Sequence, residues 1–237
     1  MFKQFKKKLI DFELGDILGQ EEVKQQVKSA LLMDRQIILV GPPGCGKTTL
    51  AKNLAKILPE ITVNDCPYQC NPETPICPVC KAKNNIKKTK IKGKDRFVRV
   101  QGSPELTAED LIGDIDPIKA MKYGPLNVKS FTPGKIFKAN NKILFFDEIN
   151  RCSEKLQNSL LQVLEEKKVT ISSYDVDLPT KFIFIGTMNP GDISTEELSD
   201  VFVDRFDFIY MDYPSDRKVE ENIVKIKGKN LVKFPKK

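Results

Sequence analysis

The chain of 237 residues contains no histidine. That absence removes the imidazole from acid–base catalysis and from any metal site, so both tasks fall to carboxylates, amides, hydroxyls and thiols. The chain also lacks any apolar run near the 18 residues or more that mark a membrane-spanning helix. Its basic start, Met1 to Ile10, is followed by neither an apolar stretch nor a small-residue cleavage site, so it does not read as a secretory signal. No internal repeat is present. These absences point to a cytoplasmic protein with no membrane partner. The length suits one large domain, or one domain with a small appendage.

The apolar fraction of 40% allows a sizeable core, and the net charge is +7. The charge is concentrated: residues 81–99 hold nine Lys or Arg against one Asp, and the rest of the chain is close to neutral. Arguments about polyanionic partners belong to that segment alone. Few aromatics are interleaved with it, so base stacking is not expected, and a solvated lysine-rich loop is the preferred reading over a nucleic-acid contact.

Several apolar runs read as strands: Gln36–Val40, Phe97–Val100, Ile143–Phe146, Phe182–Gly186 and Phe206–Met211. Between them lie helical patterns. One runs from near Gly46 to Leu58, where Pro59 stops it. Another carries Leu156, Leu160, Leu161 and Leu164 on one face behind a capping Ser153. Residues 104–142 read as a helix interrupted by a hairpin, and 169–178 as a hairpin. Strands alternating with helices predict an α/β fold, a parallel sheet covered on both faces.

Three stretches concentrate chemistry at strand ends. Gly41-Pro42-Pro43-Gly44-Cys45-Gly46-Lys47-Thr48, continuing to Thr49, fits the phosphate-binding pattern G-x-x-x-x-G-K-[ST]. Its glycines let backbone N–H groups curl around phosphate oxygens, and the following helix points its positive end at them. Lys47 is expected to reach the β- and γ-phosphates of ATP, and Thr48 to bind magnesium. The strand Ile143–Phe146 then delivers Asp147 and Glu148. Asp147 suits a magnesium ligand acting through water, and Glu148 a base that orients and polarises the attacking water. Gly186-Thr187-Met188-Asn189-Pro190 ends a third strand and places Asn189 where the γ-phosphate would lie.

Taken in order, these motifs with Phe145-Phe146-Asp147-Glu148-Ile149-Asn150-Arg151, Phe131-Thr132-Pro133-Gly134 and Asp204-Arg205-Phe206 resemble AAA+ ATPases. The resemblance is narrowest to the branch of MoxR-type ATPases and the ATPase subunit of magnesium chelatase. It covers residues 12–215 and implies a three-layer αβα P-loop core with a parallel sheet. It also implies that Asn189 is a first sensor and that Ile17 and Leu18, within Ile17-Leu18-Gly19-Gln20, pack on the adenine. Arg205 would be an arginine finger entering the site of a neighbouring subunit in a ring, usually a hexamer. Residues 115–131 and the 169–178 hairpin would face the ring pore or partners. Read from the residues alone, Arg205 could equally make a local ion pair. The family's helical lid has little room: residues 216–237 read as a remnant of it, with Val219, Ile223, Val224 and Ile226 beginning one helix.

Within the core, residues 64–96 form an insert that is first cysteine-rich and then basic. Cys66, Cys70, Cys77 and Cys80 fall close together, and the Cys77-Pro-Val-Cys80 spacing places two sulfurs on one metal. Four thiolates without histidine fit a closed structural zinc site; an iron–sulfur cluster, or thiols or disulfides without metal, are the other readings. The function expected is an ATPase that couples magnesium-dependent ATP hydrolysis to remodelling of a partner protein or of a metal-insertion complex, in which a metal-binding-domain protein would be the partner. A nucleic-acid-linked, helicase-like ATPase and a nucleotide-dependent binding module without turnover are the alternatives.

Overall fold

A computed structural model describes residues 2–82, 85–171, 176–191, 198 and 200–228. Five strands form one sheet: β1 (Gln36–Val40), β2 (Phe97–Gln101), β3 (Ile143–Asp147), β4 (Ile183–Met188) and β5 (Phe206–Tyr210). Their order is β5-β1-β4-β3-β2 and every pairing is parallel. Each strand is short and strongly apolar because both of its faces are covered. In β1, Ile37 and Leu39 point into one apolar layer, while Ile38 and Val40 point into the other.

Helices α1 (Phe2–Asp11), α2 (Glu21–Leu32) and α3 (Lys47–Ile57) cover the first face. They bury Phe5 and Leu9, Val23 and Val27, and Leu50 and Leu54 beside Ile37 and Leu39. Helix α4 (Glu154–Glu166) serves the second face through Leu156, Leu160 and Leu161, with Leu164 half-buried against them. The result is the three-layer αβα sandwich expected from the sequence. Among the described residues, no helix is long and apolar enough to cross a membrane.

Two local expectations change. Ser153 occupies the N-cap position of α4, but its side chain makes no capping hydrogen bond. The single interrupted helix expected over 104–142 is instead three short helices, Ala108–Ile112, Pro117–Tyr123 and Lys135–Lys138, around a hairpin of Gly113–Ile115 and Phe131–Pro133. Glycine and proline break the chain too often there for a longer helix. The hairpin expected at 169–178 has its strands at Lys168–Ile171 and Val176–Pro179, with its turn outside the described residues. A final helix, α5 (Arg217–Gly228), contains Val219, Ile223, Val224 and Ile226, and residues 229–237 lie outside the described set.

Strand order matters for function. β1 is flanked by β4 and β5, so the loops leaving β1, β3 and β4 open at one edge of the sheet. In open parallel sheets that carboxyl edge is where ligands bind.

Candidate active site

The loop Gly41–Gly46 leaves β1 and enters α3 at Lys47. Gly44 and Gly46 have φ of 82° and 107°, a left-handed backbone that glycine adopts without a Cβ clash. Gly46 offers no capping side chain, which leaves the first N–H groups of α3 available to phosphate oxygens. The Lys47 ammonium donates to the carbonyls of Gly41 and Pro42 at 2.6 and 2.7 Å.

Facing this loop are the ends of β3 and β4. A cleft of about 310 Å³ is lined by Pro43, Gly44, Gly46, Lys47, Thr48, Thr49, Asp147, Glu148 and Asn189, with Thr187 and Met188. The three motifs thus meet in one place. The hydroxyl of Thr48 and the carboxylate of Asp147 are hard oxygen donors on opposite walls of this cleft, the donor chemistry that magnesium takes. When bound there with a nucleotide, the metal supplies charge neutralisation between phosphates.

Glu148 is held by an unusual backbone. Its φ of 56° and ψ of 55° lie in the left-handed region, rare for a residue with a side chain and typical of functional positions. Thr187, fully buried in β4, secures that conformation and its neighbour together. Its hydroxyl accepts from the Glu148 N–H at 2.9 Å and donates to the Asp147 carboxylate at 2.7 Å. The Glu148 carboxylate accepts from the Gln101 amide at 2.8 Å and pairs with Arg151 at 3.4 Å. Arg99 pairs with Asp147. Behind the turn sits Gly102, where a Cβ would come within 2.1 Å of the Glu148 carbonyl oxygen. Gly102→Ala is therefore expected to displace Glu148 and slow ATP turnover about tenfold or more while ATP still binds, read by comparing turnover with nucleotide titration.

Asn189 is half-buried at the cleft, and its side-chain oxygen accepts from Gly191 N–H at 3.2 Å. Its backbone carbonyl accepts from Asn150 at 3.4 Å. A second hollow of about 390 Å³ adjoins the first and shares Gly44, Gly46 and Thr49 with it. Ile17, Leu18, Cys45, Tyr213, Ile223 and Ile226 contribute to its lining, so its walls are largely apolar and suited to a flat base. The Tyr213 hydroxyl donates to the Pro43 carbonyl at 2.8 Å and so ties this wall to the phosphate loop.

Arg205 does not join the cleft of its own chain. Its guanidinium pairs with Glu165 on α4 and donates to the Val201 carbonyl, and its side chain is 40% exposed. The local pairing open in the sequence is thus made, with Glu165 rather than with Asp204.

Elsewhere in the molecule, Cys66, Cys70, Cys77 and Cys80 converge. Their sulfurs all lie within 4.8 Å of one another. Backbone N–H groups of Cys70, Cys77 and Cys80 each approach a cysteine sulfur at 3.4 Å, a pattern that stabilises thiolates. The Cys70 thiol is held down to about 5, foremost by the hydrogen bond from Cys77, while burial pushes Cys66 up to about 11.

Residues 78–208, more than half of the chain, match the family described as ATPase family associated with various cellular activities (AAA). The chain belongs to that family. Within it, residues 13–92 of this AAA ATPase match magnesium chelatase, subunit ChlI, which places the chain in the MoxR and magnesium-chelatase branch. It is 32% identical over 201 residues to the magnesium-chelatase subunit ChlI homolog of Methanocaldococcus jannaschii, covering 80% of this chain and 52% of that protein. It is 31% identical over 202 residues to the chloroplastic magnesium-chelatase subunit ChlI-2 of Arabidopsis thaliana, covering 82% and 47%. The chain therefore spans about half the length of the curated relatives it matches. Among solved structures, a protein described as an ATPase from Cytophaga hutchinsonii superposes with a TM-score of 0.62 at 25% identity, over 96% of this chain and 58% of that one. The BchI–BchD complex of magnesium chelatase has the same fold, with a TM-score of 0.65 at 23% identity over 94% of this chain and 67% of the matched chain.

Four residues of the AAA ATPase site escape a reading of the sequence: Arg99, Gln101, Gly102 and Thr187. Each acts across a strand pairing or on a backbone 39 to 48 residues away. The one available signal is that Arg99 and Gln101 alternate with buried Val100 at the end of an apolar strand.

Proposed function

We propose that this chain binds ATP with magnesium and hydrolyses it at the interfaces of a ring, coupling turnover to a partner protein or a metal-insertion complex. The convergence of Lys47, Thr48, Asp147, Glu148 and Asn189 on one cleft carries this reading. In it the nucleoside occupies the hollow beside Ile17 and Leu18, and the phosphates lie against the Gly41–Gly46 loop. Lys47 exchanges its loop carbonyls for phosphate oxygens, Thr48 and Asp147 hold the metal, and Asn189 positions the γ-phosphate and the water. Glu148 takes up the proton of the attacking water.

Among the described residues no arginine lines this cleft; Arg99 and Arg151 are engaged with Asp147 and Glu148, and Arg205 is half-exposed on another surface. Beside Lys47, a second cation that stabilises charge on the transferring phosphoryl group would come from a neighbouring subunit, and its Arg205 suits that role in a hexameric ring. Magnesium-dependent phosphate release by the purified chain is the direct test. Arg205→Ala is expected to retain ATP binding and to lose about 10³-fold in turnover. Full turnover by that variant rules out the trans role.

The apolar side chains of Ile118, Met121 and Leu126 stand 78% to 91% exposed on the 113–133 insert and offer a surface for the partner protein. The four cysteines hold one structural zinc ion in this reading. None of them is paired in a disulfide, which suits the reducing cytoplasm.

A further inference from the structure

We infer that the zinc-loaded four-cysteine loop braces the base of the 113–133 insert. The inference rests on the reading that these cysteines hold zinc. A zinc–sulfur bond of about 2.3 Å places tetrahedral sulfurs roughly 3.8 Å apart. The sulfurs here all lie within 4.8 Å of one another, compact enough to converge on a single ion. An iron–sulfur cluster interposes several metal atoms and spreads its thiolates wider.

The loop needs such a staple. Among the described residues between the hairpin strands Ile61–Asn64 and Lys88–Ile91, the one regular element is the short helix Pro78–Ala82. Apart from the cysteines, Tyr68 and Ile76 are the inward-facing apolar side chains between Cys66 and Cys80. A segment with so little core is ordered by its metal.

What the loop touches gives the metal a role. Cys70, Cys77 and Cys80 are buried in the same apolar cluster as Leu111, Phe131, Ile136 and Phe137. The Tyr68 ring meets Phe137 edge-on at 5.3 Å, and Phe137 meets Phe131 edge-on at 6.0 Å. Phe131 pairs with Ile115 across the hairpin that closes the insert. The helix carrying Cys80 lies against residues 128–130, the returning leg of the same insert. With zinc in place, the loop is a fixed wall behind this aromatic row. Without it, Tyr68 is no longer anchored between Cys66 and Cys70, and the base of the insert loosens.

The test uses the whole chain: zinc content by elemental analysis, and hydrogen exchange before and after chelation. One zinc per chain is expected, with amides of 113–133 and 135–138 exchanging about tenfold faster after its removal and α3 unchanged. A Tyr68→Ala variant is expected to keep its zinc and show the same local acceleration. A chain that contains and takes up no zinc removes the zinc reading and the brace with it. Bound zinc whose removal leaves the insert's exchange unaltered overturns the brace alone. So does a Tyr68→Ala variant exchanging like the parent, or a loss of protection that includes α3.

Discussion

Glu148→Gln is expected to bind ATP and magnesium as the parent does and to turn over about 10²–10⁴-fold more slowly. The substitution is nearly isosteric, and an amide oxygen can still accept from Gln101 as the carboxylate does at 2.8 Å. The backbone lock through Thr187 is untouched, because it uses the Glu148 N–H. Shape is therefore preserved and only the ability to take a proton is lost. Nucleotide titration paired with steady-state phosphate release checks both halves. A rate within tenfold of the parent would show that water is activated by another group, and Asp147 would be the next residue to test.

Gly41→Ala has the second large expected effect, and its cause is steric. Gly41 sits where the phosphate loop leaves β1, with its N–H bonded to Met188 at the end of β4. On the other side, Met211 after β5 donates to Val40. A Cβ at position 41 would fall 1.9 Å from the Met211 carbonyl oxygen. That neighbour is backbone just past the last pair of the β1–β5 ladder and bonded to it, so relief requires shifting a strand end. We expect a loss of about 3 kcal/mol, within the range for overpacked sites, and a melting temperature lower by roughly 6–12 °C. ATP affinity should fall with it, since the same shift tilts the loop. A thermal melt and a nucleotide titration decide; an unchanged melting temperature would mean the two strand ends part freely.

The contrast between these residues explains what could be read from the sequence. The phosphate loop is contiguous, and its chemistry is written in eight neighbouring residues. The buried strands were visible because parallel strands covered on both faces become unbroken apolar runs, as in Ile143–Phe146. Helix α1 was not visible. Its side chains Phe5 and Leu9 are buried with three lysines between them, so the segment showed in the sequence only as a basic stretch. Thr187 reads as an ordinary strand residue until β4 is placed beside β3, and nothing local states that pairing. Gly102 is a glycine because of a carbonyl 46 residues further along the chain, at Glu148. The four cysteines could be grouped by spacing, but their seat against Phe137 depends on how the insert folds back.

The placement of β1 also sets when the site can exist. Its two neighbours in the sheet begin at Ile183 and Phe206, far later in the chain. During synthesis at about 5–20 residues per second, the phosphate loop waits roughly seven to thirty seconds before either flank of its strand is complete. Contacts of such long sequence separation also make folding slow. A ribosome-bound nascent chain ending between Glu148 and Ile183 therefore carries every residue of the G-x-x-x-x-G-K-[ST] motif and the Asp147–Glu148 pair, yet lacks the strand that brings Thr187 and Asn189 to the cleft.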